Sequence, residues 1–279
     1  MAVVLITGCS SGFGLAAAEG FAARGHDVVA TMRSPERAVV PGGRAESLAD
    51  LDRVVVEQLD VSDAASRRSA VERVLERFGH VDVLVNNAGI SALGVTEEMP
   101  DDVVRGQWET NYFGPFELTK LLLPSMRERS SGRIVNITSI GGLLTPGFYG
   151  HYCATKHAVD AITESLDIEL QPWGIRAVSV VPGGFNTSMA DNRIREAQTT
   201  DTAYPRALEA LRAYEERMAT SAPSSLDPVV EAIVAAATDD PPRNRYLVGG
   251  GNTQLLAPIV EQGQLIHDQL RAREAGSPS

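Results

Sequence analysis

Short β-branched runs recur between helical patterns along this chain, and most are apolar nearly throughout instead of alternating apolar with polar. They are VVLIT (3–7), DVVATM (27–32), RVVVEQL (53–59), VDVLVN (81–86), GRIVNIT (132–138) and IRAVSVV (175–181), with RYLVG (245–249) as a last strand. Side chains alternate between the two faces of a strand, so a strand that is apolar at every position must be covered on both sides. This predicts an α/β fold, doubly wound, with a mainly parallel central sheet of about seven strands and helices on both faces.

The helical patterns cover 14–25, 64–79, 101–128, 150–172 and 227–238, and Gly25, Gly79 and Gly174 fall where a helix should stop and the next strand begin. A polar, Thr- and Ala-rich stretch at about 188–225 breaks the rhythm and reads as a helical insertion, a candidate lid. Residues 271–279 read as a frayed tail, so residues 1–270 are expected to form one domain.

Composition narrows the classes of partner. A net charge of -11, with no run of Lys or Arg, disfavours a nucleic acid backbone. No apolar run reaches the roughly 18–20 residues of a membrane span. The chain opens MAVVLITG, which enters a strand at once and has no secretory leader pattern. Cys9 and Cys153 lie far apart without metal-ligand spacing, so no metal is expected and a cytoplasmic setting fits; both thiols read as packing residues, Cys153 as one open to alkylation.

The first strand runs into Thr7-Gly8-Cys9-Ser10-Ser11-Gly12-Phe13-Gly14 and then a helix rich in small residues. Glycines let the backbone turn sharply and approach a pyrophosphate, whose charge suits the unsatisfied N–H groups and dipole of a helix N-terminus. An ordinary strand-to-helix turn is the alternative. The stretch HYCATK places Tyr152 four residues before Lys156, on one helix face. A phenol beside an ammonium loses its proton more readily, whereas the same pair on a solvated face has no chemical role.

Taken in order, the spacing G-x-x-x-G-x-G at 8–14, NNAG at 86–89, Ser139, the Tyr152/Lys156 pair and PGGFNT at 182–187 resemble the short-chain dehydrogenase/reductase family over roughly residues 1–190. TGCSSGFG, VVATMR, VDVLVNNAG and YCATK look most like the branch with 17β-hydroxysteroid and retinol dehydrogenases. The resemblance implies a Rossmann fold and an oxidoreductase that moves a hydride between a nicotinamide dinucleotide and a secondary alcohol, ketone or aldehyde, assembled as a homodimer or homotetramer. It implies Asn111, Ser139, Tyr152 and Lys156 as the catalytic set: Tyr152 as acid/base, Lys156 holding the nicotinamide ribose and biasing the phenol, Ser139 steadying the substrate oxygen, and Asn111 holding a relay water. Thr138 competes with Ser139 at the strand end, but alternation sends the two hydroxyls in opposite directions. Asn111 could equally mark a kink or a surface position.

For the cofactor, the glycine loop contributes Gly8, Ser10, Ser11, Gly12, Phe13 and Gly14. An NAD-preferring site places a carboxylate at the end of strand two to bind the ribose hydroxyls. Met32 stands there and Arg33 follows, so NADP(H) is favoured over NAD(H), with Arg33 pairing to a 2′-phosphate unless it is a plain surface charge. Asp60 and Val61 are implied at the adenine, although Asp60 also fits a turn or cap. Asn87, Ala88 and Gly89 are implied beside the ribose, Pro182 and Gly183 at the nicotinamide end, and Thr187 at the carboxamide. Leu143, Leu144, Phe148, Tyr149, His151, Phe185 and Met189 are candidates to face the reacting carbon, with Ser139, Leu144, Tyr149, Phe185 and Met189 as the substrate set; their apolar character suits a bulky, apolar substrate. An NAD-dependent enzyme of the same fold, or a dinucleotide-binding protein without catalysis, are the alternatives.

Overall fold

In the computed structural model the described residues are 1–38, 42–43, 45–185, 203–206, 209, 213, 225–249 and 252–275. Seven strands, β1 (Val3–Thr7), β2 (Asp27–Met32), β3 (Val54–Gln58), β4 (Val83–Asn86), β5 (Gly132–Ile137), β6 (Ile175–Pro182) and β7 (Arg245–Val248), form one sheet in the order β3-β2-β1-β4-β5-β6-β7. Every neighbouring pair is parallel. Among the described residues the α-helices include α1 (Gly12–Ala23), α2 (Pro35–Ala38), α3 (Ala64–Phe78), α4 (Asp101–Trp108), α5 (Gly114–Glu128), α6 (Gly150–Glu169), α7 (Asp227–Thr238) and α8 (Asn252–Ala275).

The five central strands, β2, β1, β4, β5 and β6, feed two cores. In β1, Val4 and Ile6 pack with Ala17, Phe21, Val229 and Ile233 from α1 and α7, while Leu5 between them packs with Val71, Leu118, Leu122 and Leu166 from α3, α5 and α6. The unbroken apolar runs are therefore the two-sided burial that the sequence demands, and each fully buried Leu or Ile contributes about 1.5–3 kcal/mol. Strand order reverses between β1 and β4, and the crevice beyond the carboxyl ends of strands at such a point is where open α/β sheets bind ligands.

Two features differ from expectation. The stretch 101–128 is not one regular helix: between α4 and α5, residues Glu109–Phe113 form a wide π turn, and the Gly114 N–H donates to the Glu109 carbonyl. Widened turns of this kind recur at functional sites. The chain is also ordered past residue 270, since α8 runs to Ala275. Its anchor is the buried Asp167 carboxylate on α6, which receives Arg176 Nε at 2.8 Å, His267 Nε2 at 2.8 Å and Arg271 Nη1 at 2.7 Å. Burial opposes the charge on Asp167, but the His267 and Arg176 hydrogen bonds, with the Arg176 and Arg271 charges, hold it well below the usual carboxylate range. The insertion at 188–225 lies almost wholly outside the described residues.

Candidate active site

A cleft of about 220 Å³ opens at the carboxyl ends of β1, β2, β3 and β4. Of the residues assigned to a dinucleotide, Gly8, Ser10, Ser11, Gly12, Phe13, Arg33, Asp60, Val61, Asn87, Ala88 and Gly89 line it. Gly8 holds a left-handed backbone at φ +74°, and a Cβ there would sit 2.9 Å from Ala88 Cα. A Cβ on Gly14 would sit 2.5 Å from both Asn87 Nδ2 and the Gly8 carbonyl oxygen. The loop is thus closed against NNAG with no room for side chains, and Thr7 ties the two together. Its Oγ1 accepts from the Asn87 and Ala88 N–H groups at 3.0 Å, and Asn87 Nδ2 donates to the Thr7 carbonyl at 2.8 Å. A backbone cradle at a helix N-terminus, on the sheet's switch point, fits a pyrophosphate.

At the β2 end, Met32 is buried and Arg33 exposed; the Arg33 carbonyl accepts from Gln58 Nε2 at 3.1 Å, while its guanidinium has no hydrogen bond or ion pair among the described residues. Among the described residues, Asp60 is the one carboxylate lining the cleft, and its Oδ1 accepts from the Ser62 N–H and hydroxyl at 2.9 and 2.6 Å. It therefore makes a local turn, and the cap of α3 is Asp63. Pro182 and Gly183 do not line this cleft: Pro182 pairs with Val248 of β7, and the Gly183 N–H donates to the Val248 carbonyl at 2.8 Å. Thr187 and Met189 lie outside the described residues. Among the described residues, no cluster of His, Cys, Asp or Glu could hold a metal, and no helix is long and apolar enough to cross a membrane.

Asn111, Ser139, Tyr152 and Lys156 converge next to the cleft. A Cβ on Gly89 would lie 3.4 Å from Asn111 Oδ1 and 3.7 Å from Lys156 Nζ. Ser139 caps a short turn, its Oγ accepting from the Gly141 N–H at 3.0 Å, and it hydrogen-bonds Tyr152. Thr138 Oγ1 is used inside the sheet, donating to the Val180 carbonyl at 3.0 Å. Lys156 Nζ lies 5.9 Å from the Tyr152 ring centre and donates to the Ile137 carbonyl at 2.9 Å.

The electrostatics differ from the simple expectation that the ammonium lowers the phenol. Burial pushes Tyr152 up to about 12, the Ser139 hydrogen bond opposing it. Burial alone brings Lys156 down to about 8. Each shift follows from the group's own burial, while the ammonium donates to the Ile137 carbonyl.

Among the candidates for the reacting carbon, Tyr149 packs its ring on Tyr152 with centres 6.0 Å apart. Leu144 continues the turn after Ser139, its N–H donating to the Ile140 carbonyl. Phe185 packs edge-on against Phe13 of the glycine loop at 5.7 Å. Leu143 lines a separate cavity of about 500 Å³ between α6 and α8, and His151 Nε2 bonds the Thr96 carbonyl at 3.1 Å. Cys153 is buried, and burial pushes its thiol up against a Thr145 hydrogen bond, so ready alkylation is not expected. Sequence reasoning missed Ile90 and Thr110, which also line the cleft. Ile90 follows NNAG directly and was within reach of that motif; Thr110 faces the cleft from the π turn, which leaves no local signal.

A family model described as short chain dehydrogenase matches residues 2–198. The chain belongs to the short-chain dehydrogenase/reductase family, whose enzymes are NAD(P)-dependent oxidoreductases. It is 39% identical over 191 residues to a Bacteroides thetaiotaomicron protein named 3-ketodihydrosphingosine reductase; the match covers 68% of this chain and 66%, just under two thirds, of that relative. Its fold is similar to a short chain dehydrogenase/reductase from Burkholderia phymatum solved with NAD, at 26% identity and TM-score 0.78, covering 100% of this chain and 97% of that one. It is also similar to ElxO solved with NADP, at 26% identity and TM-score 0.74, covering 91% and 100% of the two chains.

Proposed function

We propose that this protein is an NADP(H)-dependent oxidoreductase interconverting a bulky, apolar secondary alcohol with its ketone, or an aldehyde with its alcohol, with Tyr152 as the acid/base. The convergence of Asn111, Ser139, Tyr152 and Lys156 at the edge of a glycine-walled cleft carries this reading. The dinucleotide, when bound, supplies or accepts the hydride. Tyr152 Oη gives its proton to the oxygen of the carbonyl being reduced, and takes it back when the alcohol is oxidised. Ser139 Oγ, already bonded to the phenol, steadies that oxygen. Lys156 Nζ is assigned to the ribose hydroxyls, a role its nearness to the cleft wall at Gly89 supports.

Burial keeps the Tyr152 phenol in its protonated form, the form that gives a proton in the reducing direction. The relative named as reductase of a 3-keto compound supports ketone reduction too. Arg33, exposed next to Met32, where a carboxylate would mark NAD, supports NADP(H). Pro182, Gly183 and Thr187 are assigned to the nicotinamide end, and Leu144, Tyr149, Phe185 and Met189 to the substrate, Phe185 from the cofactor side. An aromatic patch of Trp108, Tyr112, Phe113 and Phe116, with Phe113 44% exposed, supports a homodimer or homotetramer built through α4 and α5. The two buried, unpaired thiols support a reducing, cytoplasmic setting. Turnover of a panel of apolar ketones and aldehydes, each with NADPH and with NADH, tests the reading. Oxidation of NADPH dependent on an added carbonyl is the expected result, and no turnover of any member with either dinucleotide contradicts it.

A further inference from the structure

The reacting turn of α6 carries one buried hydroxyl that the chemistry above does not use. Thr155 is fully buried, between Tyr152 and Lys156 in sequence. Its Oγ1 donates to the Tyr152 carbonyl at 2.7 Å, so its one proton is committed. It can then only accept, and Asn111 Nδ2 donates to it at 3.1 Å. The second Nδ2 hydrogen of Asn111 goes to the Ile90 carbonyl at 2.9 Å, and Asn111 Oδ1 accepts from the Ile90 N–H at 2.9 Å. Both side-chain donors of Asn111 are therefore used, in a site where Asn111 is 2% exposed.

This chain of bonds runs from the cleft wall to the phenol's own backbone. Ile90 lines the dinucleotide cleft, and the π turn at Glu109–Phe113 brings Asn111 to it. In an α-helix the Tyr152 carbonyl takes the N–H four residues on, that of Lys156, so the Thr155 hydroxyl adds a second donor to the carbonyl that already links the two reacting residues. We propose that Thr155 is a positioning residue: its hydroxyl locks the Tyr152–Lys156 turn to Asn111 and through it to the Ile90 segment, setting where the phenol and ammonium stand relative to the dinucleotide. The proposal rests on the reading of Tyr152 and Lys156 as the reacting pair.

The same helix supplies a matched control. Thr163 is equally buried, donates to the Val159 carbonyl at 2.6 Å and accepts from Asn136 Nδ2 at 2.7 Å, yet bonds neither Tyr152 nor Asn111. The test measures kcat, KM for both substrates, the pH midpoint of kcat and the melting temperature for wild type, Thr155→Val, Thr155→Ser, Thr163→Val and Tyr152→Phe, using a carbonyl that wild type reduces. Thr155→Val is expected to lose about tenfold or more in kcat with a displaced pH midpoint and little change in dinucleotide KM. Thr155→Ser recovers most of kcat, and Thr163→Val loses melting temperature but keeps kcat and its midpoint. A Thr155→Val enzyme with wild-type kcat and midpoint overturns the proposal. So does Thr155→Ser failing as badly, or Thr163→Val losing as much kcat. If Thr155→Val is not recovered folded, Thr155→Ala replaces it, and unfolding of both while Thr163→Val folds also overturns a positioning role. Retained turnover in Tyr152→Phe sinks the underlying reading instead, whereas an inactive Tyr152→Phe with an unaffected Thr155→Val sinks this inference alone.

Discussion

Lys156 Nζ stands 5.9 Å from the Tyr152 ring centre while donating to the Ile137 carbonyl at 2.9 Å, so the ammonium is held by β5 and not by the phenol. The cost of burying it has a definite sign. The Lys156 pKa falls from 10.5 in the open chain to about 8 in the fold, so the folded state binds fewer protons between those values and stability from this group rises as pH climbs from about 8 to 10.5. Lys156→Met removes the effect. The unfolding free energy of wild type relative to Lys156→Met is expected to increase by on the order of 2 kcal/mol between about pH 7 and 10, whatever the lost carbonyl bond costs at both. Denaturant titrations at the two pH values check this, and a pH-independent difference contradicts it.

Gly141 sits where a side chain would meet the reacting group. A Cβ there would lie 3.1 Å from Cys153 Sγ, 3.3 Å from Tyr152 Cε1 and 3.4 Å from Ser139 Oγ. Gly141→Ala is expected to cut kcat by about tenfold or more by displacing the phenol and its serine, with dinucleotide affinity little changed. Stopped-flow binding beside steady-state kinetics separates the two.

Gly14→Ala attacks the other side of the cleft. The new Cβ collides at 2.5 Å with the Gly8 carbonyl, a backbone group that cannot swing aside. A stability loss of about 1–3 kcal/mol is expected, together with weakened binding of NADPH and NADH alike. Calorimetric titration and thermal unfolding report both, and unchanged dinucleotide affinity contradicts the cradle assignment.

Much of this was legible in the chain, for identifiable reasons. Val4, Leu5 and Ile6 declare a strand covered on both faces because both faces are apolar, and the Gly8–Gly14 spacing declares the cradle because only glycine fits there. The π turn was hidden, since an i→i+5 bond has no composition signal, and with it the contacts of Thr110 and Asn111. Arg271 gave no hint of its role because its partner, Asp167, is 104 residues away. The direction of the Tyr152 shift is hidden for another reason: spacing shows a lysine on the same face but not how deeply both groups are buried.

Arg33→Ala tests the choice of dinucleotide. With its guanidinium exposed at the cleft and no carboxylate at Met32, loss of this charge is expected to weaken NADP(H) by about tenfold while leaving NAD(H) binding nearly unchanged. Equal loss for both, or for neither, contradicts a 2′-phosphate contact.

The most direct test of the account is turnover by Tyr152→Phe, which removes one oxygen and leaves the buried ring in place. Measured with a carbonyl that wild type reduces, its kcat is predicted to fall by about 10²–10⁴-fold while dinucleotide binding, read by cofactor fluorescence, is retained. Wild-type turnover in the variant contradicts the assignment of Tyr152 as the group that moves the proton.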